Sequence, residues 1–352
     1  MDKRRRELLD SLLRAPGPSG FETAVQRVWI DYVEEYADEV RTDAYGNAVA
    51  RLDGDDRSVA LTGHADQIGF VVRRIDEDGF LHIERIGGMD RTVTRGQYVR
   101  VHADDGSVPG VIGQTAIHLR DRDEDAVADV NEQRVDVGAA DREAAESLVS
   151  VGDPITVETR VRDLGGTRIA APAMDNRIGL WAAAEGFRRA AERDPGATVY
   201  AVSTVQEEVG GGGAKMVGFD LAPDAALVAD VTHATDTPDV PGEQQTGVEL
   251  GDGPTVERGQ PNHPELTGAL RAVADEEGID VQLEAVGTGG YTDAHSLFVQ
   301  RGGIPTQNVG LPNRYMHTPV EVIDADDLDA MADLLAGAAV NVHDHAPFAV
   351  GP

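Results

Sequence analysis

Cysteine is absent from all 352 residues. That excludes a disulfide framework, a thiol nucleophile and a thiolate metal site, so any metal must be held by imidazole and carboxylate. Lysine occurs only at Lys3 and Lys215, and the formal net charge is −32. A field of that sign repels nucleic acid and anionic membranes, so neither is an expected partner. Aromatics make up 5%, with two tryptophans, which leaves few stacking platforms. No stretch approaches the roughly 20 apolar residues that span a bilayer. The segment from Met1 to Leu13 is charged and amphipathic, which reads as a surface helix and not as a signal peptide. A soluble, cytoplasmic protein is expected.

What is present is acid, spread along the chain from Asp53–Asp56 through Asp121–Asp125 to Asp324–Asp329. Even spreading argues against a steering patch. It reads as adaptation to salt, because at about 1 M the screening length is near 3 Å and mutual repulsion largely vanishes. Hydrophobic residues reach 41% and are patterned, which excludes a disordered acidic chain.

The stretch Ala201-Val202-Ser203-Thr204-Val205-Gln206-Glu207-Glu208-Val209-Gly210 organises the rest. An apolar, β-branched run without alternation is a buried strand. It stops in two acids, and in open α/β sheets ligands bind at that carboxyl end. Further short apolar strands end at His64 and Asp230, and helices are expected at Ile178–Glu192, Pro264–Glu277 and Asp324–Val342. Strands alternating with helices give an α/β fold: a mostly parallel mixed sheet with helices on both faces. Residues 67–166 differ in texture, with short strands and an Asp78-Gly79 hairpin signal. They form an inserted β-rich, barrel-like domain. The outer domain is therefore split into 1–66 and 167–352.

Five positions converge on one sheet edge: His64, Asp175, Glu208, Asp230 and His317. Two imidazoles with carboxylates and no thiol suit divalent zinc, cobalt or manganese. Three carboxylates and a hydroxide would balance two divalent cations. Asp66 is placed to fix the His64 tautomer, and Glu207 is free to act as a general base. Any one of these residues alone is weak evidence. His82, His102, His118, His263, His343 and His345 are read as structural or surface residues.

Taken together the chain resembles the tetrahedral, or TET, aminopeptidases of metallopeptidase family forty-two. The resemblance rests on Gly63-His64-Ala65-Asp66, Ala171-Pro172-Ala173-Met174-Asp175-Asn176-Arg177, Gln206-Glu207-Glu208-Val209-Gly210, Asp230-Val231-Thr232, Tyr291-Thr292-Asp293-Ala294 and Arg314-Tyr315-Met316-His317-Thr318-Pro319. It implies one metal on His64 and Asp230, a second on Glu208 and His317, Asp175 bridging, and Glu207 as general base. It also implies that the insert is the dimerisation domain and that dimers assemble into a hollow dodecamer acting on short peptides. Two departures stand out: Gly210–Gly213 is all glycine where the family carries a bulky residue and an arginine, and Tyr291 is an addition. The glycine border suggests a small neutral or apolar first residue, and Asp293 is a candidate to hold the free amine.

Three alternatives compete. Dinuclear carboxypeptidases and deacylases share the order of ligands, but their extra domain follows the acid pair. A glycosidase would need Glu207 and Glu208 to face each other across a sugar, whereas neighbours in an extended chain point apart. A non-catalytic assembly protein leaves the ligand set unexplained.

Overall fold

A computed structural model describes every residue except 121–126, 194, 288–290, 342–345 and 352. Asp121, Asp125, Gly289, Gly290, the end of the last helix at Val342, and His343 and His345 therefore lie outside the described residues.

An eight-stranded sheet forms the centre. Its strands run in the order Glu39–Thr42, Ala48–Leu52, Ala197–Thr204, Asp55–His64, Ala225–His233, Thr306–Asn313, Thr255–Arg258, Gln282–Ala285. The four central strands are mutually parallel, and antiparallel pairings lie toward the edges. Alternate residues feed two cores. Val59 and Leu61 face the cluster built on the Lys3–Arg14, Thr23–Val33, Met174–Ala191 and Ala325–Asn341 helices, with Trp29 and Trp181 fully buried. Ala60, Val202 and Val228 face the opposite cluster, with Ala214, Val217 and Leu297 from the Gly212–Leu221 and Asp293–Leu297 helices. Both faces are covered, as the unbroken apolar strands require.

The expected insert contains a closed six-stranded barrel: Gly69–Ile75, Leu81–Ile86, Arg134–Asp136, Gly106–Ile112, Tyr98–Ala103 and Pro154–Val157. It has its own core, with Phe70, Leu81, Ile83, Val101, Ile112 and Ile155 fully buried. Closure leaves no free sheet edge.

Several elements differ from the sequence reading. The stretch 232–260 reads as loop-rich in sequence, and the structure finds within it the Thr255–Arg258 strand. The Ala225–His233 strand runs past Asp230, so that residue is not terminal. The Gly212–Leu221 helix is hidden by three glycines of low helix propensity, Gly212, Gly213 and Gly218.

Gly63 sets the spacing at the business end of the sheet. A Cβ there would lie 2.6 Å from the Gly179 carbonyl carbon, so strand and helix approach backbone to backbone. That approach brings the helix bearing Asp175 over the strand bearing His64.

Candidate metal centre

The parallel strands deliver their ends to one cavity. His64 closes the Asp55–His64 strand in register with Thr204, and the chain beyond Thr204 turns sharply. Four successive amides in that turn are each caught by a side-chain oxygen. Val205 donates to Asn47 Oδ1 (3.0 Å), Gln206 to Glu22 Oε1 (3.2 Å), Glu207 to Asp66 Oδ1 (3.0 Å) and Glu208 to Asp66 Oδ2 (3.1 Å). Gln206 holds a left-handed φ of 60° within it. The acid pair is thus positioned by three buried side chains, not left on a solvated loop.

Asp175, in the first turn of the Met174–Ala191 helix, lies between two imidazoles. Its Oδ1 is 3.3 Å from His64 Nε2 and its Oδ2 is 3.2 Å from His317 Nε2. Asp230 Oδ1 and Glu207 Oε2 are each 3.8 Å from His64 Nε2, while Glu208 Oε2 is 3.7 Å from His317 Nε2. Two groups of ligand atoms result, each within 4.8 Å: His64, Asp175, Asp230, and Asp175, Glu208, His317. Asp175 belongs to both. All five ligand candidates named from the sequence meet here, with Glu207 beside them.

Asp66 is fully buried beneath the cluster. His64 Nδ1 is 3.3 Å from Asp66 Oδ1 and 3.2 Å from its carbonyl oxygen, and Ser19 Oγ donates to Oδ2 at 2.6 Å. With Nδ1 engaged, Nε2 is left to face the acids.

The electrostatics favour added positive charge. Burial and then the surrounding carboxylates lift Glu207 to about 10, Glu208 to about 8 and Asp230 well above its ordinary value, although His64 partly opposes each shift. Asp175 next to His317 lifts His317 to about 9, against burial. Burial pulls His64 down, yet Asp175, Asp66 and Glu207 reverse this and raise it. Burial raises Asp175, but His317 and His64 overcome it and hold the carboxyl low. Glu208 Oε1 is buried without a hydrogen-bond partner among the described residues. A donor set of nitrogen and oxygen, one orphaned carboxylate oxygen and a surplus of buried acid fit divalent cations.

Some residues escaped sequence reasoning. Glu321, fully buried in the short Glu321–Asp324 strand, accepts the amides of His317 (2.8 Å) and Asp175 (3.1 Å). It braces both metal-ligand candidates through the backbone, a role with no side-chain motif. Asn47 and Glu22 sit in turns that read only as turns. Asp293 is fully buried, accepts from Thr204, and does not line the cavity, so it is not exposed to a substrate amine. His233 and His295, which the sequence places near the site without assigning them a role, line the cavity, with His295 stacked on Tyr291. Of the histidines read as structural, His82 pairs with Asp76 and His102 with Thr156 in the barrel.

The two departures from the resemblance are in contact. A Cβ on Gly211 would lie 2.3 Å from Ser296 Oγ and 2.5 Å from Tyr291 Oη. Tyr291 thus fills the room that a side chain at 211 would take.

Among the described residues no helix is long and apolar enough to cross a membrane. Comparison with known proteins agrees with the geometry. The family model of the M42 glutamyl aminopeptidases matches residues 46–334. The chain is 34% identical over 327 residues to the lysyl aminopeptidase of Pyrococcus furiosus, covering 92% of this chain and 93% of that one. The structure superposes on a TET aminopeptidase from a marine-sediment Thaumarchaeota archaeon with a TM-score of 0.93 and 32% identity, covering 99% of this chain and all of the other (100%). It also matches the TET1 peptidase of Pyrococcus horikoshii, TM-score 0.85 and 29% identity over 95% and 99% of the two chains, a protein described as assembling into a tetrahedron or a large octahedral shell. The chain belongs to the M42 family of metal-dependent aminopeptidases, hydrolases of peptide bonds.

Proposed function

We propose that this protein removes the first residue of short peptides at a two-metal centre. His64 and Asp230 would hold one ion and Glu208 and His317 the other, with Asp175 common to both groups of ligand atoms. The observation that carries this reading is the disposition of Asp175, one oxygen toward each imidazole. Two such ions, zinc or cobalt and less favourably manganese, supply Lewis acidity toward the scissile carbonyl and lower the pKa of water.

The remaining work falls to the chain. Glu207 is 7% exposed, lines the cavity and has no place in either three-residue group. It takes the proton of the attacking water and returns it to the leaving amine. Asp66 orients His64 and the turn that carries Glu207. The cavity, about 730 Å³, admits a peptide end.

Glu207 approaches His64 whereas Glu208 approaches His317. That division suits a metal centre better than two acids facing across a sugar. Residues 67–166 are assigned as the dimerisation domain, and dimers as building blocks of a dodecamer, the assembly named for one solved TET1 structure similar to this chain (TM-score 0.85, 27% identity).

The test compares free-amine peptides with amine-blocked ones, with metal removed by a chelator and then restored. Cleavage confined to free amines, lost on chelation and regained with zinc or cobalt, is expected. Turnover of blocked peptides, or activity indifferent to chelation, would end the proposal.

A further inference from the structure

The cavity that holds the metal-ligand cluster has a second wall which peptide hydrolysis itself does not require. Glu257 and Glu284 line it together with His64, Asp175 and His317. They are register partners on adjacent parallel strands, so two like charges sit side by side at a cost in stability. Each is fixed. Glu257, 8% exposed, accepts from Asn308 Nδ2 (2.6 Å) and Asn262 Nδ2 (3.3 Å). Glu284 Oε2 accepts from Thr232 Oγ1 at 2.7 Å, and its other oxygen takes no hydrogen bond among the described residues. Among the described residues no lysine or arginine lines this cavity; Arg258 and Arg271 line the neighbouring one, which Glu284 also borders. Burial, followed by Glu284, lifts the Glu257 carboxyl above its ordinary value against the two asparagines.

The spacing suits a long side chain. Thr232 lies two residues beyond Asp230 in the extended Ala225–His233 strand, about 7 Å further along. Val231 and Val286 line the same cavity and offer apolar surface to a methylene stem. We infer that this wall receives the first side chain of the substrate and selects a basic one, lysine or arginine, an inference that rests on the aminopeptidase reading above. The small apolar residue suggested by the glycine border is displaced, because Tyr291 and Ser296 occupy the space a side chain at Gly211 would take. The family includes members named for glutamyl and for lysyl substrates, so this wall and not membership decides.

The test pairs lysine with norleucine, which shares its stem and lacks its charge. Metal-loaded protein is titrated calorimetrically with each free amino acid, and the two aminoacyl anilides are compared by kcat/KM. Lysine should be preferred about tenfold or more in both measurements, the scale of one hydrogen bond to a charged group. Glu284→Gln should reduce the lysine-to-norleucine ratio by about the same factor. Equal preference in the wild type overturns the inference, and so does a Glu284→Gln ratio that stays fixed while both substrates fall together. That last result would place the acids on the α-amine. If neither anilide is cleaved but lysine still binds selectively, the peptidase reading fails and the basic pocket stands.

Discussion

Asp66 accepts the backbone amide of Glu207 at 3.0 Å while its carboxylate also meets His64 Nδ1 at 3.3 Å. One buried acid therefore fixes both a metal-ligand candidate and the proposed general base. Asp66→Asn keeps the volume but turns an amide toward donors at Ser19 and Glu208. Metal affinity or turnover should fall by about 10- to 100-fold, as when other supports of metal-bound histidine are removed. Metal titration and kcat/KM measured on one preparation would check this, and wild-type values in both would contradict it.

Gly211 adopts φ 62°, ψ 36° with the Tyr291 hydroxyl and Ser296 in the room of its missing Cβ. Gly211→Ala meets both the left-handed penalty and an overlap, so stability should drop by roughly 2 kcal/mol or more. Denaturant unfolding reads it. Tyr291→Phe in the same background should recover part of the loss, by removing one of the two clashing oxygens.

Asp329 ties the amino-terminal helix to the core. It pairs with Arg189 and with Arg5 Nη1 at 2.6 Å, and with the amino terminus at 3.8 Å. Burial raises its carboxyl, but Arg189, then Arg5, outweigh burial and hold it below the ordinary value. A depressed folded pKa gives stability that is full above the unfolded pKa, about 4, and is lost as pH falls toward the folded value. Asp329→Asn should lower Tm at pH 7, and its Tm should converge with that of the parent as the pH drops below about 4. Parallel curves across that window would contradict the assignment.

With a net charge of −32, the chain repels itself at low salt. Raising KCl from about 0.1 M to about 2 M shortens the screening length from about 10 Å to below 3 Å. Tm should climb across that range, as adaptation to salt requires. A flat or falling Tm would refute it.

The parts of this site that strand patterning discloses are those attached to strands, whereas Asp175 at a helix start and His317 in a loop are carried by the motifs around them. His64 and Glu207 follow uninterrupted apolar runs, and such runs announce both a buried strand and its open end. Asp230 is visible for the same reason even though its strand continues to His233. Glu321, Asn47 and Glu22 act on backbone amides supplied by distant segments, and no local pattern encodes that. The Thr255–Arg258 strand is obscured because Glu257 and Arg258 interrupt its apolar run, and Glu257 is polar since it faces the cavity. Asp293, the candidate to hold the free amine, is a converse case: it is fully buried and accepts from Thr204, a placement that its sequence neighbourhood does not announce.

The account turns on Glu207 as a proton carrier that is not a metal ligand. Glu207→Ala, assayed for turnover and for metal content by elemental analysis, tests that most directly. Turnover should fall by at least about 100-fold while metal stays near two ions per chain. Unchanged turnover, or activity lost together with the metal, would contradict it.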